Sequence, residues 1–454
     1  MFREKLYRYL PRSVFYGWWL VVLTLLLNAA TGSPVFGGVG VWVDALEREF
    51  GWTRTELSIA FSLGQLEAGL VGPFIGVVVD RLGSRKVVLM GVLTTAVGFV
   101  VLSSTKNLPT FYISYVIIFL GAAAGGWLPL MTALNNWFDK KRSLAMGIGG
   151  IGFSMGSFLL VPALAWMVAP GNVGWQKTAL ALGVFFLIIA FPVSKLVRNN
   201  PEEYGEVPDG ISNQICQSCG ERVSRNDLNC TTCGAENSFG SASSTGTGGY
   251  NNVIDNPDYS AIEILRIPAF WLISLCHGLS TMLIMTMSLH LILAFRDQGI
   301  SVQTGALIWG FTMGISGLSQ IIGGYFGDRI PKNIGLCVLG CFQSMAVLYA
   351  TLINQENVWI LAPVFCIVFG GSFGGRMPLA TSIRGEYFGR KAFGKVLGLG
   401  MIPMMIFMTS GTLFAGYWYD VQNSYNMAFY ILGSIAFLGS FGFLYARKPS
   451  NMIK

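Results

Sequence analysis

Gly76-Val77-Val78-Val79-Asp80-Arg81 closes one apolar stretch of this chain, and 324 − 76 = 248 residues later Gly324-Tyr325-Phe326-Gly327-Asp328-Arg329 closes another. In each case an acid–base pair ends a run that water would not hold exposed. At a similar offset, Trp137-Phe138 with Lys141-Arg142 resembles Tyr387-Phe388 with Arg390-Lys391, and each leads into a Gly-rich apolar segment. Gly17-Trp18-Trp19 has a looser counterpart in Phe270-Trp271. The chain therefore reads as two copies of one unit, not as a single unrepeated bundle.

Composition sets the medium. Of 454 residues, 53% are hydrophobic and 12% charged, and the mean hydropathy is +0.56. A soluble domain carries about 25% charged residues. Roughly 20 apolar residues cross about 30 Å of hydrocarbon, and twelve segments meet that length: 17–42, 55–79, 86–104, 110–136, 144–168, 175–196, 268–295, 303–327, 334–352, 358–384, 396–418 and 425–446. The 57 glycines fall largely within these segments, where small residues let helices approach closely. Gly152-x-x-x-Gly156 and Gly394-x-x-x-Gly398 are expected to make such contacts.

The net charge of +7 reads as topology, and no nucleic-acid partner is expected. Arg3, Lys5, Arg8, Arg12, Arg81, Arg85, Lys86, Lys140, Lys141, Arg142, Arg329, Lys332, Arg390, Lys391, Lys395, Arg447 and Lys448 fall on one side of the predicted spans. Only Arg48, Arg54, Lys106, Lys177 and Arg296 fall on the other. Positive loops stay in the cytoplasm. Both termini and the middle loop are thus expected inside, in a multi-pass protein of a bacterial-type plasma membrane. Residues 1–16 are basic but show no cleavage site, so no removable signal is expected.

The expected division is 1–196 for a first six-helix bundle, 197–259 for a cytoplasmic loop and 260–454 for a second bundle. Within the loop, Cys216-x-x-Cys219-Gly220 and Cys230-x-x-Cys233-Gly234 form two cysteine knuckles. Four thiolates at that spacing suit one tetrahedral Zn²⁺, and a reducing cytosol argues against disulfides. We expect a zinc ribbon at about 214–236, with a structural metal because four sulfurs fill the shell. A cytosolic protein partner for the ribbon, or none, is left open. The Ser/Gly/Thr-rich stretch 238–250 reads as a tether, and Ser260-x-x-Glu263 as a capping box. Cys276, Cys337, Cys341 and Cys366 lie in apolar runs and are expected only to pack.

Gly76-x-x-x-Asp80-Arg81-x-Gly83-x-Arg85-Lys86 resembles the signature loop of the major facilitator superfamily. Phe50-Gly51-Trp52-Thr53-Arg54-Thr55-Glu56-Leu57-Ser58 is similar to the segment after the first helix in the oxalate/formate antiporter and monocarboxylate transporter branch. So are Asn136-Trp137-Phe138, Gly174-Trp175, Pro201-Glu202-Glu203-Tyr204-Gly205 and Glu386-Tyr387-Phe388-Gly389-Arg390. The likeness spans nearly the whole chain except about 206–258. It implies an all-α membrane protein of twelve transmembrane helices in two six-helix repeats, working by alternating access. It implies a small organic anion, a mono- or dicarboxylate, as cargo, carried by proton symport or anion exchange. It also implies gating roles for Asp80, Arg81, Arg85, Asp328 and Arg329, with Asp80 reaching the start of the eleventh span and Asp328 the start of the fifth. The branch has two departures here. Gln320 stands where those carriers use an arginine in the eighth span, and their lysine of the eleventh span has no match.

An ionisable residue inside a span is a functional candidate by default. Arg376, in Gly374-Gly375-Arg376-Met377-Pro378, could hold a carboxylate, the alternative being a structural ion pair with Glu67. Glu67 or His290 could carry a proton. Gln320, Asn28, His290 and Trp127 complete the expected substrate contacts. His277 reads as a packing residue. Arg384 lies near a span end, from which it can snorkel. No nucleophile–base pair, nucleotide loop or open metal site appears, so an enzyme is not expected. Two rival functions are export of neutral or amphipathic compounds, and a membrane receptor or zinc-dependent regulator.

Overall fold

The computed structural model describes residues 15–138, 141–204, 206–210, 213–215, 222–224, 233, 260–327 and 329–448. Helices dominate. They are α1 (Tyr16–Gly32), α2 (Val39–Phe50), α3 (Arg54–Leu82), α4 (Ser84–Ser103), α5 (Leu108–Gly125), α6 (Trp127–Trp137), α7 (Arg142–Val168) and α8 (Trp175–Leu196). After the loop come α9 (Ala261–Arg266), α10 (Pro268–Asp297), α11 (Val302–Gly327), α12 (Lys332–Ala350), α13 (Val358–Phe365), α14 (Gly371–Gln422), α15 (Asn426–Ser440) and α16 (Gly442–Tyr445).

Local chemistry explains several helix starts. Thr53 and Glu56 form a reciprocal capping box on α3, and Asn107 accepts from Thr110 N at 3.0 Å to cap α5. The box expected at Ser260 forms: Ser260 N donates to Glu263 Oε2 at 2.7 Å, and Glu263 N to Ser260 Oγ at 3.3 Å. Each satisfies donors that the first helical turn leaves orphaned. Glu263 is fully exposed, and its bonds from Ser260 hold its carboxyl below the usual range.

Several expected helices are longer or broken. The first predicted span continues through a π-turn at Ser33–Gly37 into α2. The fourth breaks at Gly126, whose φ of −109° and ψ of −113° are not helical. The helical assignment of α14 is unbroken through 389–394. Even so, Arg376 meets His277 while Gly400 abuts Ser274, one turn along α10. On a straight helix those two α14 residues would lie about 36 Å apart. The chain therefore doubles back, and α14 has two antiparallel arms, one ending the span Val358–Phe388 and one forming the span Lys395–Gln422.

Among the described residues, eleven segments are long and apolar enough to cross a membrane. The sequence reading expected twelve. The missing one, α3, is helical over 29 residues, but Gln65 and Glu67 interrupt its apolar run. The side chains at 68, 69, 73 and 80 also lie outside the described set.

Helix contacts use missing side chains. A Cβ on Gly152 would strike the Leu25 backbone, and one on Gly156 the Ala29 backbone, so α1 and α7 approach as the Gly-x-x-x-Gly spacing implies. A Cβ on Gly374 would strike the Ser316 carbonyl where α11 meets α14. Gly398 faces open space instead, and the side-chain position of 394 lies outside the described residues.

The bundle has a terminal end, where α1 starts and α16 finishes, and a far end. Near the far end the two halves touch. Cβ atoms on Gly40, Gly416 and Gly310 would meet Leu289 O at 2.8 Å, Ser58 Oγ at 2.7 Å and Phe158 O at 3.0 Å, all across the junction. Toward the terminal end, Gly72, Gly76, Gly147, Gly324 and Gly398 face nothing within 4 Å among the described residues. Among those residues the halves are thus apposed at the far end, and these glycines are open at the other.

Between the halves, β1 (Asn213–Ile215) and β2 (Arg222–Ser224) pair antiparallel, Ile215 opposite Arg222. The first cysteine pair lies in the segment joining them. Cys216, Cys219 and Cys230 fall outside the described residues, and Cys233 sits in an exposed turn. No metal-ligating cluster occurs among the described residues.

Candidate functional site

Two polar constellations stand out in an otherwise apolar bundle. The first closes the far end. Arg54, 1% exposed, donates from Nη1 and Nη2 to Asp297 Oδ2 and Oδ1 at 2.6 and 2.8 Å, and from Nε to Glu47 at 3.2 Å. Its guanidinium lies 3.5 Å from the Tyr419 ring centroid and 5.0 Å from that of Tyr425. Arg296 donates back across the junction to Asp44 at 2.6 Å and Glu47 at 2.9 Å. Asp420 accepts from the backbone N–H groups of Arg54 and Thr55 at 3.0 and 2.8 Å. A carboxylate on a helix N-terminus is favoured by the orphan donors and the helix dipole. Apart from the Arg54–Glu47 contact, these bonds join the first half to the second.

His290 belongs to this junction. It is fully buried, with Nε2 at 3.0 Å from Thr412 O and Nδ1 at 2.9 Å from Tyr425 Oη. The carbonyl can only accept, so Nε2 carries the proton and the tyrosine donates to Nδ1. Ser58 Oγ lies 3.4 Å from Nε2 across the junction. The sequence reading placed His290 among substrate contacts, but in this state it faces the sealed end. A cleft of about 670 Å³ opens beside the seal, with Asp44, Arg48, Lys177 and Arg296 in its wall.

The second constellation lies inside the second half. Arg376 is 0% exposed, and its Nη1 lies 2.8 Å from Nδ1 of the buried His277. Its Nε and Nη2 make no hydrogen bond among the described residues. Arg384 is also buried; Nη1 donates to Ala380 O at 3.0 Å, while Nε is unpaired. Ser274 Oγ, one turn from His277, is unpaired too. A Cβ on Gly400 would lie 3.1 Å from that oxygen and 3.9 Å from Arg384 Nε, which places both around one spot. No ion pair of Arg376 or Arg384 with a carboxylate appears among the described residues.

The remaining expected residues are scattered. Glu67 is half-buried, with Oε2 unpaired among the described residues, and makes no pair with Arg376. Asn28 donates to Gly149 O at 3.2 Å within the first half. Gln320 donates to Ser154 Oγ at 3.4 Å across the junction. Trp127 is 56% exposed, with Gly150 beside its ring. Arg81 is exposed, the Arg85 backbone N–H donates to Asn199 Oδ1 at 3.0 Å, and Arg329 Nη2 donates to Tyr325 Oη at 2.8 Å. The Asp80 side chain and Asp328 lie outside the described residues.

Sequence reasoning missed Arg54, Asp297, Asp44, Glu47 and Asp420. Each reads alone as an interfacial charge, because the partners across the junction lie 243 to 366 residues apart. It also took His277 for packing. The usable signal was an intramembrane histidine on the same half as an intramembrane arginine.

Comparison with known proteins fits this architecture. Bovine monocarboxylate transporter 13 is 22% identical over 433 residues, covering 93% of this chain and 88% of that protein. Rat monocarboxylate transporter 10 is 23% identical over 437 residues, covering 93% and 77%. The MFS-type transporter YcxA of Bacillus subtilis is 22% identical over 414 residues, 90% of each chain. Among solved structures, a bacterial homologue of the human lysosomal transporter Spinster, inward-facing and unoccupied, superposes with a TM-score of 0.67 at 13% identity, covering 96% of this chain and 99% of that one. The Major Facilitator Superfamily profile matches residues 18–382 and 270–453, and the chain belongs to that superfamily of multi-pass membrane transporters.

Proposed function

We propose that the protein is a secondary active transporter of small organic anions, mono- or dicarboxylates, working by alternating access through proton symport or anion exchange. One observation carries this reading: a fully buried guanidinium, Arg376, that meets no carboxylate among the described residues. A charge buried in a bundle is expensive unless paired, and it persists where a ligand supplies the counter-charge. The names of the monocarboxylate transporters it resembles point to the same cargo class.

In this proposal the halves are 1–196 and 260–454, with the terminal end and the loop 197–259 in the cytoplasm, as the basic residues argue. The structure is then the inward-open form, sealed outside by Arg54, Asp297, Arg296, Asp44 and Glu47. Asp80, Arg81, Arg85, Asp328 and Arg329 would latch the cytoplasmic gate in the opposite state. Glu67 is retained as a proton-carrying candidate. The insert at about 214–236 is a zinc ribbon with Cys216, Cys219, Cys230 and Cys233 as ligands, and the β1–β2 pairing around the first knuckle supports it. A second reading, export of neutral or amphipathic compounds, is favoured by the uncharged Gln320 at the junction and the exposed Trp127.

The test is uptake of labelled carboxylates into proteoliposomes, with and without an inward proton gradient, for wild type and Arg376→Gln. Saturable uptake of one acid that the variant loses supports the proposal. Uptake of an amphipathic cation but of no acid, in folded protein, supports the second reading.

A further inference from the structure

The polar atoms around Arg376 are arranged for more than charge neutralisation. Four of them, Nε and Nη2 of Arg376, Nε of Arg384 and Oγ of Ser274, are buried and unpaired among the described residues. Three can only donate; Ser274 Oγ and Arg384 Nε lie around one spot beside Gly400, and Arg376 is close enough to Arg384 for the two charges to act on each other, so the cluster is a donor set suited to an anion. The fifth feature is the contact between Arg376 Nη1 and His277 Nδ1 at 2.8 Å. A guanidinium has no lone pair to offer. Nδ1 must therefore accept, and the single proton of His277 must sit on Nε2. Protonating Nδ1 abolishes the bond.

We infer that this side-chain cluster takes up an anion and a proton together, with the carboxylate held by Arg376 and Arg384 and the proton on Nδ1 of His277. The inference rests on the anion-transport reading above and names the coupling residue within it. In this structure Arg376 is tethered to neutral His277. When Nδ1 gains a proton, Nη1 is released and turns with Nη2 to the carboxylate, giving the two parallel donors that suit this group. The new Nδ1–H becomes a further donor to it. Charge balances: two guanidiniums make +2, and a monoanion with one proton leaves 2 − 1 + 1 = +2. Without the proton, the anion competes with His277 for Arg376. Without the anion, the imidazolium faces two cations. Each ligand therefore raises the affinity for the other by the same factor.

Among the described residues, no carboxylate or second histidine acts on His277. Arg376 and Arg384 of α14 are the charged groups that act on His277. From α12 comes the Cys337 thiol, beside Cys276. On α9, Glu263 and Arg266 are exposed at the surface. On α10 itself, His290, Arg296 and Asp297 begin thirteen residues away, about 20 Å along the helix, and Asp44 and Glu47 of α2 join them at the far end. Among the described residues, α11, α15 and α16 add no charged group to this contact. Arg384 lies toward the open, terminal end of the same arm, on the side from which an anion would arrive.

The experiment is isothermal titration calorimetry of the full chain in detergent with lactate and oxalate as probes, from pH 5.5 to 8.5. Each titration is repeated in two buffers of different ionisation enthalpy. Wild type should bind one of the acids about tenfold more weakly per pH unit in the alkaline range, and take up about one proton per anion. His277→Gln, whose amide oxygen can still accept from Arg376, should bind with no pH slope and no proton uptake. Arg384→Gln should bind at least tenfold more weakly. Binding by wild type without proton uptake overturns the inference and leaves the anion reading standing. So does a pH slope that survives in His277→Gln. Failure of folded wild type to bind either acid at any pH sinks both.

Discussion

Asp297→Asn should unseal the far end. Arg54 is 1% exposed and gives Asp297 two bonds, at 2.6 and 2.8 Å. At an effective dielectric of about 20, a unit pair about 4 Å apart attracts by roughly 4 kcal/mol. Asparagine keeps one neutral bond, worth about 1 kcal/mol. Asp297 is 23% exposed, so solvent screens part of the remainder. About 2 kcal/mol of closure should be lost, or roughly thirtyfold in the ratio of sealed to open molecules. The assay is labelling of Ser62→Cys by a membrane-impermeant maleimide applied to intact cells, with the unsubstituted chain as the blank. Ser62 is 3% exposed at the junction, its Oγ 3.4 Å from Thr412 Oγ1, so labelling reports opening. The double variant should label about thirtyfold faster than Ser62→Cys alone. A change below threefold would mean that the ionic cluster does not hold the seal.

Three further outcomes follow from the same geometry. Tyr425→Phe removes the donor to His290 Nδ1 and should destabilise the sealed state by about 1 kcal/mol, changing kcat for uptake while KM stays within twofold. Gly374→Val should lower the melting temperature of the purified protein by several degrees, because its Cβ meets the Ser316 backbone, whereas Gly72→Ala, facing open space, should leave it unchanged. The purified chain should hold about one zinc by mass spectrometry and lose it in Cys216→Ser/Cys219→Ser with uptake retained; full-length protein grown with zinc but free of metal would remove the ribbon.

What could be read ahead was what is local. A run of apolar residues sets a helix within itself, and Ser260 with Glu263 sets a cap three residues long. Arg376 announced itself because a cation interrupts an apolar run. The first span was read through Ser33-Pro34 and Gly37-Gly38 to residue 42, but its extension to Phe50 was hidden because Asp44, Glu47, Arg48 and Glu49 end the apolar run before the helix ends. The sealing cluster was illegible for a different reason. Arg54, Asp297 and Asp420 come from three helices, and only the packing of two halves brings them within 3 Å. The contact of His277 with Arg376, 99 residues on, was illegible on the same ground. The gating roles expected of Asp80 and Asp328 rest on a side chain and a residue outside the described set.

The most direct measurement is an experimental structure of the full chain in lipid nanodiscs with the transported acid at saturating concentration and acidic pH. If the pocket of Arg376, Arg384, Ser274 and His277 is the anion site, density for one carboxylate will bridge the two guanidiniums, with Arg376 Nη1 drawn off His277. An acid bound elsewhere, with the 2.8 Å contact between Arg376 and His277 intact, would contradict it.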